Sequence, residues 1–478
     1  MSLDSALNHA LSPFTDAFSA WVFIEVPIGG VGVPLVVLWL VAGSVFCTVR
    51  FGGINLRGLP LAWRVLRGDL DDPTAPGQIT HFQALATAVS GTVGIGNIGG
   101  VAVAIALGGP GATFWMVVAG LLGMATKFAE CTLGVRYRRQ HDDGMVSGGP
   151  MFYLDRGLTE RGWPTVGRLL GRFYALGIVI GCLGIGNMFQ ANQAFVQLRE
   201  ATGGAEGPLE GLGWLVGTVL ALLVGGVLIG GIRSIAAVTG RMVPLMAGLY
   251  FLGAVTVILA NVSALPQAVM NILQGAWTGE AAAGGALGAL VVGMKRAVFS
   301  NEAGIGSASI AHSAVKTRLP ATEGVVALLE PFIDTVVICT LTALVIGVAQ
   351  VTWPGFMDSG LEGVAMTSDA FRRTVWWFPY PLAVAAVLFA VSTMLSWAYY
   401  GLKGWVYLVG DAPASQMAFK AVFCGFIALG ASIQLDAVLD FSDAMVFVLC
   451  VPNLIGVLWL APVVQEELDR LRGALSSD

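Results

Sequence analysis

Long uncharged apolar runs alternate with short polar connections along almost the whole chain, and each run is long enough to cross a bilayer as a helix. Hydropathy predicts eleven spans, near residues 26–49, 82–107, 111–134, 173–198, 211–231, 242–262, 283–312, 324–350, 379–400, 414–433 and 442–464. The second span is broken halfway. Between Thr87 and Gly111 its apolar register is interrupted by Gly91, Gly94, Gly96, Gly99 and Gly100, with Ser90, Thr92 and Asn97 around them. Hydrocarbon offers no partner to a bare N–H or C=O, so irregular backbone at membrane depth survives only where protein or a polar cavity surrounds it. Discontinuous spans of this kind build the ion and solute sites of secondary transporters. Glycines also permit close helix packing, but that use favours a four-residue spacing.

The seventh span carries a second interruption, GMKRAVFSNEAGIGSASIAH from Gly293 to His312, with Lys295, Arg296 and Glu302 beside Ser300, Asn301, Gly304 and Gly306. Charges at membrane depth are paired or functional. Neutralisation of Glu302 by Lys295 or Arg296 and a direct substrate role are both compatible with the pattern. Setting the first span aside, ten remain, five starting at each break, and an odd number of spans per half makes the halves run in opposite directions. That is an inverted repeat. The predicted fold is therefore an all-α polytopic 5+5 bundle with one extra N-terminal helix. Residues 1–81 hold an outside N-terminus, that helix and a cytoplasmic loop. Residues 82–262 form the first repeat, 283–465 the second and 466–478 a cytoplasmic tail.

Composition fits this class, with 12% charged and 56% hydrophobic residues and 64 glycines, against about 25% charged in a soluble domain. Of the 25 basic residues, 20 fall in alternate connections and the tail, Lys127 among them as part of the loop after the third span. The positive-inside rule then puts the N-terminus outside and the C-terminus in the cytoplasm of a bacterial or archaeal plasma membrane. The first dozen residues, MSLDSALNHALS, lack the basic start and apolar core of a cleavable signal, and none is expected. Six cysteines lie singly in apolar stretches and read as small buried hydrophobes. The four histidines are scattered, which argues against a membrane-embedded enzyme, and nothing resembles a channel filter.

Three long motifs, Ser90–Met116 (SGTVGIGNIGGVAVAIALGGPGATFWM), Ser147–Leu158 (SGGPMFYLDRGL) and Phe299–His312 (FSNEAGIGSASIAH), resemble in order the alanine or glycine:cation symporter family, the sodium:alanine symporters. The resemblance implies a leucine-transporter-type (LeuT-like) fold in which Val93-Gly94-Ile95-Gly96-Asn97 is the unwound part of the first core helix. It implies symport of a small neutral amino acid, alanine or glycine, with Na+. A proton-coupled carrier is the alternative. The expected partners are the amino acid, the cation and membrane lipid, with no nucleic acid and no cofactor beyond co-transported Na+.

Chemistry agrees with such a pocket. Backbone N–H groups near Gly94, Ile95 and Gly96 can cradle a substrate carboxylate, because glycine lets the backbone approach and the second half-helix starts there. Carbonyls near Phe299, Ser300 and Asn301 can accept from the ammonium. Gly91, Thr92, Gln190 and Trp397 complete the candidate substrate set. Asn187, Gln190 and Gln193 share roughly one helical face, and the resemblance puts that helix beside the substrate. The resemblance also matches Ser392 and Thr393, with the carbonyls of Ser90 and Val93, to a sodium position, and Asn97 joins that set. Hard oxygen ligands suit such a cation. Hydroxyls bonded to their own helix are the plain alternative for Ser392 and Thr393. Glu330 and Asp334, flanking Pro331, relay protons or cap the Lys295, Arg296 and Glu302 cluster, the second reading being preferred. In a background without other reactive thiols, Gly203→Cys should label with an impermeant thiol reagent from outside and Asp142→Cys only from inside; the opposite pattern overturns the orientation.

Overall fold

The computed structural model describes residues 3–141, 144–278, 285–361, 363–433 and 436–476, so Asp142 and the predicted span start at 283 lie outside the described residues. Among the described residues, seven helices are long and apolar enough to cross a membrane. Two bent pairs also pass jointly, Leu35–Arg50 with Ile54–Leu66 at 65° and His81–Thr92 with Gly96–Gly108 at 52°. The second pair is the first predicted break. Gly285–Asn301 and the short Ala308–His312 flank the other. Around these two interrupted helices pack Gly111–Arg136, Gly231–Ala260, Pro320–Thr352 and Pro379–Val409, and Pro379–Val409 leans on Pro164–Ala201.

Several boundaries differ from the sequence reading. Residues predicted to open the first span instead form a hairpin, Glu25–Ile28 paired antiparallel with Val31–Pro34, and the helix begins only at Leu35. Gly29 and Gly30 close it with φ of 57° and 85°, the two-residue turn that needs left-handed backbone at both positions. Leu3–Val22 is a helix that the hydropathy reading does not contain, set against Asp436–Trp459 with Phe18 and Phe441 4.9 Å apart. The last span ends at Trp459, and Ala461–Ser476 is a separate helix across the expected tail boundary at 465/466.

The buried charges are also arranged differently. Lys127 lies fully buried inside Gly111–Arg136, 3.0 Å from the equally buried Glu330, and is not part of a basic loop. Lys295 sits 4.2 Å from the Phe23 ring centroid, and neither Lys295 nor Arg296 forms an ion pair with Glu302 among the described residues. Glu330 instead pairs with Lys127, which also lies close enough to Glu302 to act on it, and Asp334 bonds to Asn97 and Ser300.

Both ends of the bundle are tied. At the end rich in basic residues, the Arg138 guanidinium donates to the carbonyls of Ser313 (2.9 Å), Val315 (2.6 Å), Pro76 (2.8 Å) and Thr317 (2.8 Å). The Glu323 carboxylate beside it takes the ring nitrogens of His81 and His312, one from each interrupted helix. At the opposite end, the Thr367 hydroxyl donates to the Ile98 carbonyl at 2.9 Å, which fixes the helix Gly363–Thr374 over the first break.

Breaking a buried ion pair strands a charge and costs about 3–5 kcal/mol. Lys127→Met should lower the melting temperature sharply, and Lys127→Met with Glu330→Gln should melt above it; a double variant no better than the single would show that Lys127 is not held mainly by Glu330.

Candidate functional site

At the first break the helix stops at Thr92, Val93 is extended (φ −70°, ψ 110°), and winding resumes as a wide turn over Gly96–Gly100. Its loose peptide groups are met by side chains. Asn97 Oδ1 accepts from the Gly94 N–H at 2.7 Å. The Ser90 carbonyl accepts from Thr393 Oγ1 at 2.9 Å, the Thr87 carbonyl from Ser396 Oγ at 2.7 Å, and the Gly91 carbonyl from Trp397 Nε1 at 3.4 Å. One side chain of Pro379–Val409 after another thus closes on the open end of the first half-helix.

The second break is sealed in the same manner. Glu302 takes a left-handed φ of 55°, rare for a residue with a Cβ, and its carboxylate accepts from Ser307. Glu130 accepts from the Gly304 N–H at 2.9 Å, while Asn453 Nδ2 donates to the Gly304 carbonyl at 2.8 Å and to Glu130 at 2.6 Å.

Asn97 joins the two breaks. Its Nδ2 lies 2.6 Å from Asp334 Oδ1 and 3.0 Å from Ser300 Oγ. Ser300 Oγ donates to Asp334 Oδ2 at 2.8 Å, Thr335 Oγ1 donates to the same oxygen at 2.7 Å, and Asn301 Nδ2 donates to Thr335 at 2.9 Å. Asp334 is thereby tied down: its oxygens accept from three side chains, and it holds Asn97 and Ser300 in place. All of these residues are buried.

The predicted residues separate accordingly. Ser90, Val93, Gly94, Asn97, Ser300, Asn301 and Thr393 come together or line the joined breaks. Ser392 turns its hydroxyl to its own helix, 3.0 Å from the Phe389 carbonyl, and approaches Met246 Sδ at 3.5 Å. The preferred hydroxyl pair is thus split into one cross-helix and one local bond. Gly94 N–H is occupied by Asn97, whereas a Cβ on Gly96 would meet nothing within 4 Å, so open space lies there. Gly91 lies against the Tyr400 hydroxyl, and the Thr92 hydroxyl bonds back to Val89. Ile95 is buried beside them. Phe299 stacks on Phe447 with centroids 6.5 Å apart, in an aromatic group with Phe23.

Trp397 packs directly on Gly186, where any Cβ would lie 2.3 Å from it, in the wide turn Gly184–Met188. One turn on, Gln190 donates to the Ile185 carbonyl that the turn exposes, and its Oε1 has no partner among the described residues. Asn187 instead tethers the Phe423 carbonyl at 2.7 Å, and Gln193 reaches only Asn192. Sequence reasoning missed Asp334 as the hub, together with Thr335, Ser396, Gly186, Glu130 and Asn453. The Gly186-Asn187 pair within an apolar span and the intramembrane charge of Asp334 offered signals.

Two helices broken in the bilayer and joined by buried polar side chains define a secondary transporter, not an enzyme. The fold is that of leucine-transporter-type carriers: the crystal structure of MhsT in complex with L-phenylalanine aligns over 81% of this chain and 97% of its own, with a TM-score of 0.58 at 14% identity. The sodium:alanine symporter family model matches residues 22–477, and the chain belongs to that family of cation-coupled amino-acid symporters. It is 38% identical to the sodium/alanine symporter AgcS of Methanococcus maripaludis over 91% of this chain and 93% of the relative. It is 33% identical to the amino-acid carrier protein AlsT of Bacillus subtilis, with 89% and 86% covered.

Each buried group stripped of its partner costs about 1–3 kcal/mol. Asn97→Ala strands the Gly94 N–H and an Asp334 oxygen, so thermal melting should fall by the equivalent of both; an unchanged melting temperature would show that water replaces the amide without penalty.

Proposed function

We propose that the protein couples inward movement of a small neutral amino acid, alanine or glycine, to Na+ by alternating access, in a plasma membrane with its basic end in the cytoplasm. The observation that carries this reading is the meeting of the Ser90 carbonyl and Thr393 hydroxyl at 2.9 Å, across the break that Asn97 ties to the second broken helix. The Phe389 carbonyl and Ser392 hydroxyl, 3.0 Å apart on the same helix as Thr393, supply two further oxygens. With the Val93 carbonyl these make a hard-oxygen set suited to Na+. Asn97, on the other side of the unwound backbone, is positioned to sense both ion and substrate.

In this proposal the substrate carboxylate faces the backbone at Ile95 and Gly96, where the glycine leaves room, and the ammonium faces carbonyls near Phe299, Ser300 and Asn301. Gly91, Thr92, Gln190 and Trp397 wall the space. Asp334, bonded to Asn97, Ser300 and Thr335, acts as a brace, and the carbonyls serve the amine. Residues 82–262 and 283–465 are assigned to the two repeats. Clustering of the buried Glu130, Glu302 and Glu330 around Lys127 supports proton coupling as a second reading.

The test is uptake of labelled alanine and glycine by purified protein in liposomes under an imposed sodium or proton gradient. A sodium gradient should drive saturable uptake. Thr393→Val with Ser392→Ala should weaken substrate affinity and move sodium dependence to higher concentration, because linkage between two ligands is worth about 1–3 kcal/mol, or roughly 5–150-fold. Uptake driven by protons alone would favour the second reading, and unchanged sodium dependence in correctly inserted protein would remove the hydroxyls from the ion site.

A further inference from the structure

A cavity of about 450 Å³ opens at the basic end, away from the two breaks, between the helices Pro150–Glu160 and Pro164–Leu183 and the end of Pro379–Val409. Arg139, Arg156, Arg168 and Arg172 line it together with Asp155 and Asp411. None of the four arginines is in an ion pair among the described residues, although two carboxylates share the cavity with them. Asp155 accepts from the Tyr407 hydroxyl at 3.1 Å, and Asp411 accepts from Gln416 at 2.7 Å and lies 3.7 Å from His141 Nδ1. Arg156 donates to the backbone carbonyls of Arg138 at 3.2 Å and Tyr137 at 3.5 Å.

The close fit of the helices sets this arrangement. Gly167 and Gly171 let Pro164–Leu183 lie on its neighbours, a Cβ on Gly167 meeting the Leu154 carbonyl at 2.6 Å and one on Gly171 the Tyr407 hydroxyl at 2.9 Å. With those glycines inward, Arg168 and Arg172 stand one turn apart beside the cavity. On the same helix Leu169, Phe173 and Leu176 are 67%, 42% and 52% exposed, a four-and-three spacing that makes one apolar stripe continuing away from the arginines. Trp163 and Trp459, also exposed, pair at 5.4 Å near the start of that helix, as aromatic residues do at the membrane–water boundary. Four guanidinium groups that outnumber the two carboxylates of the cavity and form no ion pair among the described residues, next to an apolar stripe, match a ligand with an anionic phosphate head and hydrocarbon tails.

We propose that this cavity binds the phosphate headgroup of an anionic phospholipid, with the acyl chains along Leu169, Phe173 and Leu176. Guanidinium forks suit phosphate oxygens, and basic pockets at the ends of membrane helices take such headgroups. The bound lipid bridges Pro164–Leu183 to the end of Pro379–Val409, the helix that carries Thr393 and Trp397. A soluble phosphate anion shares the head chemistry but not the apolar stripe.

The test uses the full chain in nanodiscs of phosphatidylcholine with increasing phosphatidylglycerol, following the melting midpoint. Phosphatidylglycerol should stabilise the protein saturably. Arg168→Gln with Arg172→Gln should raise the fraction needed by about fivefold for each charge removed, whereas Arg57→Gln, at the same end but outside the cavity, should not. Native mass spectrometry of the unaltered protein from an equimolar mixture of the two lipids provides a readout independent of whether the variant folds, and retention should favour phosphatidylglycerol. Equal retention, or a double variant that responds like wild type, would overturn the proposal. Equal stabilisation by inorganic phosphate in pure phosphatidylcholine would overturn the lipid assignment in favour of a free anion.

Discussion

Peptide groups released from a helix inside a bilayer have neither water nor lipid to bond, and this constraint organises the molecule. Each break exposes several such groups at once, and helices across the bundle answer them. Asn97 covers the Gly94 N–H, Thr393 and Ser396 cover carbonyls of the first half-helix, and Glu130 with Asn453 covers both sides of Gly304. Because Thr393, Ser396, Glu130 and Asn453 come from other helices, and Asn97 is itself held by Asp334 and Ser300 across the bundle, the backbone at the breaks is held open in a fixed shape without being allowed to wind shut.

The same groups serve two purposes. A carbonyl that accepts from Thr393 is also a hard oxygen for a cation, and an amide that accepts from Gly94 lies where a substrate carboxylate would look for donors. If the proposed site holds ligand at these positions, binding would exchange partners, protein for ligand, with little net desolvation. Asp334, bonded to Asn97, Ser300 and Thr335, gives Asn97 a fixed pivot. The ties at either end of the bundle, Arg138 and Glu323 at one and Thr367 at the other, join elements that the proposed alternating-access cycle would part in turn.

The breaks were legible because closely spaced glycines mixed with small polar residues weaken a helix that lipid would otherwise force to stay wound. Thr393 was legible only through family resemblance, since a hydroxyl pair in a helix is as often bonded to its own turn, which is what Ser392 does. Lys127 was misplaced because position along the chain was the only guide; its partner Glu330 is 203 residues away, and no local pattern links them. The same holds for Asp334, which reads as one half of an acidic pair and proves to be the hub of another group. The hairpin at Glu25–Pro34 was a different kind of error. VPIGGVGVP is as apolar as a span, but Gly-Gly between β-branched residues and flanking prolines carried the turn signal, and hydropathy averaging erased it.

The separation between partners has a consequence for biogenesis. Asn97 meets Asp334 across 237 residues and Glu130 meets Asn453 across 323. As the chain emerges from the ribosome, the first broken helix and the buried carboxylate of Glu130 enter the membrane well before the residues that satisfy them exist. Lys127 and Glu130, one turn apart on the same helix, can offset each other's charge from the start, but Lys127 meets Glu330 only across 203 residues. The nascent first half is thus a membrane intermediate with incompletely satisfied charges and open backbone, which favours its staying near the insertion machinery or its lipid boundary until nearly the last helix has been made.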